Sequence, residues 1–263
     1  MSKTIHPTAV IEKGADIAPT ASIGPYCIVG PNVKIGDNVT LKGHVVVDGH
    51  TTIGAGTIVY PFASLGTAPQ DLKYAGEPSL LLIGKKNTIR EHVTMNPGTS
   101  GGAMKTIVGD NCLFMMSSHV AHDCVIGNNV IMANNATLGG HVTVGDFAVL
   151  GGLAGVHQFV RIGEHAVIGG MSGVESDVIP YGRVKGERAF LAGLNLIGLE
   201  RRGFSKDQVK IIQKAVNQLF GDIGTMEERI TEVASDFAND DAVQNIIKFA
   251  REKTRFPLCH PPR

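Results

Sequence analysis

The sequence predicts a mainly β protein: a parallel β-helix of hexapeptide repeats over residues 1–190, followed by a small α-helical domain over residues 191–263. Three observations carry that expectation. An aliphatic residue returns at every sixth position through most of the chain. Glycine is abundant, at 33 of 263 residues, while aromatics are scarce and tryptophan is absent. Composition then switches near residue 200: the first 200 residues hold 30 glycines and 28 charged side chains, the last 63 hold 3 glycines and 20 charges.

The period starts at Ile5 and runs through Ile11, Ile17, Ile23, Val29, Ile35, Leu41, Val47, Ile53, Val59 and Leu65 without a miss. It resumes in phase at Ile83, Ile89 and Met95, shifts by one residue, and continues from Val108 and Phe114 to Val174, giving 26 hexads. An amphipathic helix would need a 3.6-residue period, whereas a fixed longer repeat is the signature of a solenoid. Glycine follows the aliphatic residue at Ile23-Gly24, Val29-Gly30, Ile126-Gly127 and Ile162-Gly163, where a strand must turn tightly. Two interruptions, near 66–82 and 96–107, read as surface loops, the kind of segment that often carries function. The first gathers an amide, a carboxylate and an ammonium at Gln70, Asp71 and Lys73.

Beyond Pro180 the repeat ends. Ser205-Lys206-Asp207-Gln208 and Thr225-Met226-Glu227-Glu228 are capping-box signatures that precede apolar residues at helical spacing, Val209, Ile212, Val216 and Leu219, then Ile230, Val233 and Phe237. Val243, Ile246, Ile247 and Phe249 make a third set. Three helices are expected.

Charge and cysteine usage narrow the function classes. The 24 basic and 24 acidic side chains cancel, which argues against nucleic acid as a partner. No apolar stretch approaches the roughly 20 residues that span a bilayer, and no apolar signal core follows the N-terminal residues. The expectation is a cytoplasmic protein without stable membrane insertion. Cys27, Cys112, Cys124 and Cys259 lack the spacing of a zinc knuckle or a disulfide framework. Between Arg183 and Lys214, eight basic residues face three acidic ones, with Lys206, Lys210 and Lys214 along one helical stripe.

Repeats of this form resemble the hexapeptide-repeat acyltransferase superfamily, whose solenoids are left-handed with three hexads per triangular coil. That resemblance implies a left-handed parallel β-helix in which residues eighteen apart stack at about 4.8 Å. It also implies that Cys27, Cys112 and Cys124, each four residues after a hexad aliphatic, point inward as small hydrophobes. The same ruler gives the histidines a geometry. His122 lies two residues after inward Val120, on the outer face, and Gly140 lies one coil away. A histidine base beside a backbone N–H free to face an oxyanion is what acyl transfer requires. One coil further come His157 and Gln158, with His141 adjoining Gly140. A metal site is the rival use of these imidazoles, but the His-x4-His spacing of the hexapeptide-repeat carbonic anhydrases occurs nowhere in the chain, so no metal is expected.

Five segments make the resemblance specific: His119-Val-Ala-His122-Asp-Cys124, Gly139-Gly140-His141, Val156-His157-Gln158-Phe159, Gln70 through Pro78, and Asn195 through Ser205. Together, and in this order, they are similar to the UDP-N-acetylglucosamine acyltransferases, which open lipid A synthesis. The resemblance implies that His122 is the general base toward the glucosamine 3-hydroxyl and that Gly140 N–H stabilises the tetrahedral intermediate. It assigns Gln70, Asp71, Lys73, His119, His141, His157, Gln158, Asn195 and Arg202 to substrate contacts, Gly170 to the acyl-chain groove, and Arg201 to the carrier protein; the charge of the basic stripe independently assigns Lys206 and Lys210 to that acidic partner. It further implies a homotrimer, an acyl carrier protein thioester as co-substrate and no cofactor. Two positions depart from the pattern of some members, Asn96-Pro97 in place of His-Arg and Ile197 in place of glutamate. A related N-acyltransferase, a coenzyme-A-dependent acetyltransferase and a non-catalytic scaffold are the other readings, and acyl length is left open.

Overall fold

The structure, a computed structural model, describes residues 4–262. Each of the 26 hexads forms one short strand, from Thr4–Ile5 to Gly173–Val174. Successive strands pass from one face of a three-sided prism to the next, so each strand away from the ends pairs in parallel with the strands one coil above and below. Strand Thr137–Leu138, for instance, pairs with His119–Val120 on one side and Gly155–Val156 on the other, eighteen residues away in each direction. Of the 26 hexad positions, 24 are buried; Ile5 and Ile11, in the first coil, are only partly covered because no coil lies beneath them.

A second inward position, four residues after the first, takes small side chains such as Ala21, Cys27, Val33, Ala136, Ala148 and Ala166. The prism is too narrow for two large residues per hexad. All four cysteines are buried and free, and burial pushes the Cys124 thiol up to about 12 and that of Cys112 to about 11, so both stay protonated and act as core hydrophobes.

The loops are slightly shorter than the sequence suggests. Strand Leu80–Ile83 already pairs with His50–Ile53, and Lys105–Val108 pairs with Leu80–Ile83, which leaves 66–79 and 96–104 as the excursions. Each leaves from the second face and returns on the third, at one and the same edge of the prism. The β region also runs past residue 190. Strands Gly182–Lys185 and Phe190–Leu194 form an antiparallel hairpin that closes the first face.

Four helices follow rather than three: α1 (Leu196–Arg201), α2 (Lys206–Leu219), α3 (Met226–Asp236) and α4 (Asp241–Arg251). Both capping boxes form, Ser205 with Gln208 and Thr225 with Glu228. The apolar stripes bury Ile212, Val216 and Leu219 of α2, Ile230 and Val233 of α3, and Val243, Ile246 and Ile247 of α4. The additional helix, α1, has six residues with Gly198 at its centre, too short to show a periodic pattern. Among the described residues no helix is long and apolar enough to cross a membrane.

Phe114 is a completely buried side chain at a hexad position otherwise filled by aliphatics. Phe114→Ala is expected to cost about 3–5 kcal/mol of stability through lost burial and the cavity left behind, read from the midpoint of chemical denaturation.

Candidate active site

Between adjacent faces the chain turns through two outward-pointing residues, and at most corners the second has a positive φ. At the edge between the second and third faces, three successive coils place His122, Gly140 and Gln158 first and Asp123, His141 and Phe159 second. Both loop excursions emerge from this edge, so the sequence-marked histidines and the Gln70–Lys73 segment share one side of the prism.

The centre of the arrangement is a buried carboxylate. One Asp123 oxygen, Oδ2, accepts from the Thr99 hydroxyl at 2.6 Å, the Thr99 N–H at 3.0 Å and His122 Nδ1 at 2.9 Å, while Oδ1 accepts from the Ala103 N–H at 2.9 Å. Burial opposes ionisation of this carboxyl. The Thr99 hydroxyl and N–H, the His122 bond and the field of His141 outweigh it and hold the group below the usual carboxylate range. An ionised Asp123 fixes the proton of His122 on Nδ1 and leaves Nε2 as the acceptor. Gly102 permits this enclosure, since a Cβ there would lie 2.3 Å from the carboxylate.

His122 is less exposed than its outward position suggests, with 16% of the side chain accessible, because loop 96–104 grips Asp123 beside it. Its ring lies directly over Gly140, whose ideal Cβ would be 2.5 Å from Cε1 and 2.6 Å from Nε2. Glycine is therefore the residue that fits beneath the imidazole. The Gly140 N–H donates to no acceptor among the described residues, whereas its carbonyl accepts from Phe159 N–H at 2.9 Å. A proton acceptor and an unpaired N–H thus lie side by side.

The neighbouring imidazoles are held neutral. His119 shares a 2.7 Å hydrogen bond with Thr94, and burial, reinforced by His122, lowers its pKa. Burial also lowers that of His141; Asp123 and Asp71 act in the opposite sense, while His122 and Arg255 add to the lowering. His141 meets His122 edge-on at 5.0 Å and stacks on Phe159 at 4.3 Å. Asp71 reaches this group electrostatically, whereas Gln70 and Lys73 are exposed on the loop above. Glu77 ties the two loops together: its carboxylate accepts from Ser100 N–H at 2.7 Å and Ala75 N–H at 2.9 Å, and these backbone bonds lower its pKa to about 2. Asn96, one of the departures noted above, has a structural role here, donating to Thr67 and Ala68 carbonyls at 3.1 and 3.4 Å.

A groove of about 510 Å³ runs from Gly140 over Thr137, Gly155 and Gly173, with exposed His157 and Gln158 along its side. Gly170 is exposed at the far edge of the same face, close to Gly152. Asn195 and Arg202 lie elsewhere, at the edge between the third and first faces. Asn195 caps α1, accepting from Gly198 N–H at 3.1 Å, and donates to the His165 carbonyl at 2.8 Å. Arg202 donates to the Phe147 carbonyl at 3.0 Å and covers that ring. Arg201, Lys206 and Lys210 are exposed on α1 and α2, and Ile197, the other departure, is exposed beside them. One chain therefore unites His122, Gly140, His119, His141 and Asp71, and sets Asn195 and Arg202 apart from them.

Asp123, Thr99 and Glu77 carry no assignment from the sequence. Only Asp123 left a signal there, as the neighbour of His122 exactly one coil before His141. The ligand atoms of His122, Asp123 and His141 lie within 4.8 Å of one another, close enough for a cation. However, Asp123 already takes four hydrogen bonds, one of them from His122 itself, so the donor set fits histidine orientation better than metal binding.

A family profile described as UDP-N-acetylglucosamine O-acyltransferase, domain 2, matches residues 177–259, and one for six bacterial transferase hexapeptide repeats matches 105–140. An acyl-[acyl-carrier-protein]–UDP-N-acetylglucosamine O-acyltransferase of Rickettsia canadensis is 51% identical over 98% of both chains. That of Methylobacterium radiotolerans is 58% identical over 77% of this chain and 75% of its own. Among solved structures, UDP-N-acetylglucosamine O-acyltransferase from Moraxella catarrhalis superposes with a TM-score of 0.94 at 40% identity, covering 97% of this chain and 99% of that one. Agreement at this level includes the hand of the coil, which is left-handed.

Replacing Gly140 by alanine is expected to push the His122 ring off its seat while the coil is retained. A crystal structure of the variant with the imidazole unmoved would refute that packing argument.

Proposed function

The chain belongs to the acyl-[acyl-carrier-protein]–UDP-N-acetylglucosamine O-acyltransferases, and from that premise we propose how its residues divide the work. The enzyme transfers an acyl chain from acyl carrier protein to UDP-N-acetylglucosamine, the first step of lipid A biosynthesis. In our reading the chain is a 3-hydroxyacyl group and the acceptor is the glucosamine 3-hydroxyl. His122 Nε2 takes the hydroxyl proton as the oxygen attacks the thioester carbonyl carbon. The Gly140 N–H donates to the oxyanion that forms. Collapse of the intermediate breaks the C–S bond, and the His122 imidazolium returns its proton to the departing thiolate. Asp123 keeps His122 in the required tautomer and stabilises the imidazolium. The observation that carries this reading is the His122 ring lying over Gly140 with Nδ1 bound to Asp123.

The carrier thioester is the co-substrate, and the reading uses neither a metal nor an organic cofactor. Asp71, Lys73 and Gln70 on the first loop, together with His119, His141, His157 and Gln158, contact the nucleotide sugar. Asn195 and Arg202 lie on a different edge, so they can complete the site only where two subunits meet. A homotrimer supplies that juxtaposition. Arg201, Lys206 and Lys210 steer the acidic carrier protein by charge, and the reaction takes place in the cytoplasm.

His122→Ala is expected to reduce turnover by at least 10²- to 10⁴-fold, the usual worth of a general base, with an unchanged circular dichroism spectrum. Retained turnover would remove His122 from this role. The glycine-lined groove and Gly170 leave the path of the acyl chain open, so a mixed pool of acyl carrier proteins should give mainly long-chain product; a product mass spectrum dominated by short chains would contradict this.

A further inference from the structure

The segment after α4 returns to the solenoid and is fastened there. Asp177, fully buried, accepts from Arg161 N–H and Nε at 2.8 Å each and from the Thr254 hydroxyl at 2.8 Å. Its own N–H donates to the Pro257 carbonyl at 2.9 Å, and its carbonyl accepts from Cys259 N–H at 2.7 Å. Phe256 meets His157 edge-on at 5.4 Å. Arg255 thus sits between two anchored neighbours, and its direction follows from them.

Its guanidinium lies 4.4 Å from the centre of the Phe159 ring. Phe159 is the ring stacked on His141, which meets His122. The cation therefore ends a column of side chains that begins at the proposed base. Arg255 is exposed, and it makes no hydrogen bond or ion pair among the described residues. Arg161, Arg188, Arg202 and Arg229, by contrast, each hold an oxygen of the protein. Stacking on an aromatic face immobilises the planar guanidinium and leaves its N–H edge available for a bidentate oxyanion. Its field also reaches into the site, adding to the lowered pKa of His141.

We propose that Arg255 is a binding residue of the active site that grips a phosphate of bound substrate. The inference rests on the reading of His122 as the reacting centre. Both substrates carry phosphate: the diphosphate of the nucleotide sugar and the phosphodiester of the carrier's pantetheine arm. A charge-assisted, two-pronged contact to either is among the stronger hydrogen-bonding interactions.

Calorimetric titration of the full-length protein with UDP-N-acetylglucosamine, and the KM for acyl carrier protein, distinguish the two sources. Arg255→Ala is expected to weaken one of them by about tenfold or more, with a larger loss at low ionic strength, and Arg255→Lys should fall between. Weakened sugar-nucleotide binding identifies the diphosphate; a raised carrier KM alone identifies the pantetheine phosphate. Both values unchanged would overturn the proposal. Phe159→Leu, which removes the platform and keeps the charge, should shift the same quantity by a smaller factor, and it decides the matter should Arg255→Ala lose its fold. Because the titration measures binding without turnover, a failure of His122 as base would not be mistaken for a failure of Arg255.

Discussion

Everything in this molecule depends on the corner of the coil. Each face is crossed by a strand of about two residues, and the chain must then turn within two more. The turn is made with a positive φ at 18 corner residues other than glycine among those described, although such a conformation costs an L-residue roughly 1–2 kcal/mol. The side chains at these corners recur every eighteen residues and therefore stack at nearly the strand spacing. Tyr26, His44, Phe62 and His92 stack at 5.0–5.1 Å along one edge, and Phe147 on His165 at 4.8 Å along another. Asp123, His141 and Phe159 occupy the same position on the third. The ring stacking helps offset the backbone cost, and the alignment of functional groups in a column follows from the repeat itself.

The same repetition explains how two loops can be inserted without disturbing the coil. Strand Ser64–Leu65 pairs with Thr94–Met95, and that strand pairs with His119–Val120, so pairing on the second face is in register across both insertions. Loop closure grows slowly in cost with length, and both ends of each loop are held by the ladder. The loops are also bound to each other and to the column. Glu77 accepts from Ser100, and Thr99 and Ala103 donate to Asp123. With its pKa near 2, Glu77 keeps this link from neutral pH down through the ordinary carboxylate range and loses it only as pH falls toward 2. The path from loop 66–79 to the orientation of His122 therefore runs through Glu77, loop 96–104 and Asp123.

The hexads could be read in the sequence because each aliphatic residue answers to one local constraint, the narrow interior. His122 and Gly140 could be paired because the eighteen-residue repeat converts sequence distance into contact. Asp123 was harder to place, since an acid beside an outward histidine reads as solvated; its burial comes from Thr99 and Gly102, in a loop that has no period. Asn195 entered as a substrate contact through resemblance, and its side chain proves to cap α1 and bind the His165 carbonyl, a pairing across thirty residues that no spacing rule contains. Arg255 depends on Asp177 and Arg161 holding the C-terminal segment, again a tertiary contact. What a period specifies was legible, and what depends on loops meeting was not.

Zero net charge conceals a directional site. His119 and His141 have their pKa values lowered, chiefly by burial, so at neutral pH neither adds a positive charge beside His122. Asp123 remains an anion on the Nδ1 side. In the proposed mechanism a proton arriving at Nε2 therefore meets no competing cation nearby, and the positive charge it creates is balanced by the buried carboxylate behind the ring. As pH falls below the ordinary histidine range, protonation of His141 and His119 would place like charges against that imidazolium and oppose the transfer. The column thus separates its charges, with the anion behind the proposed base and the Arg255 cation at the far end, so the phosphate contact we propose for it would not disfavour proton uptake at close range.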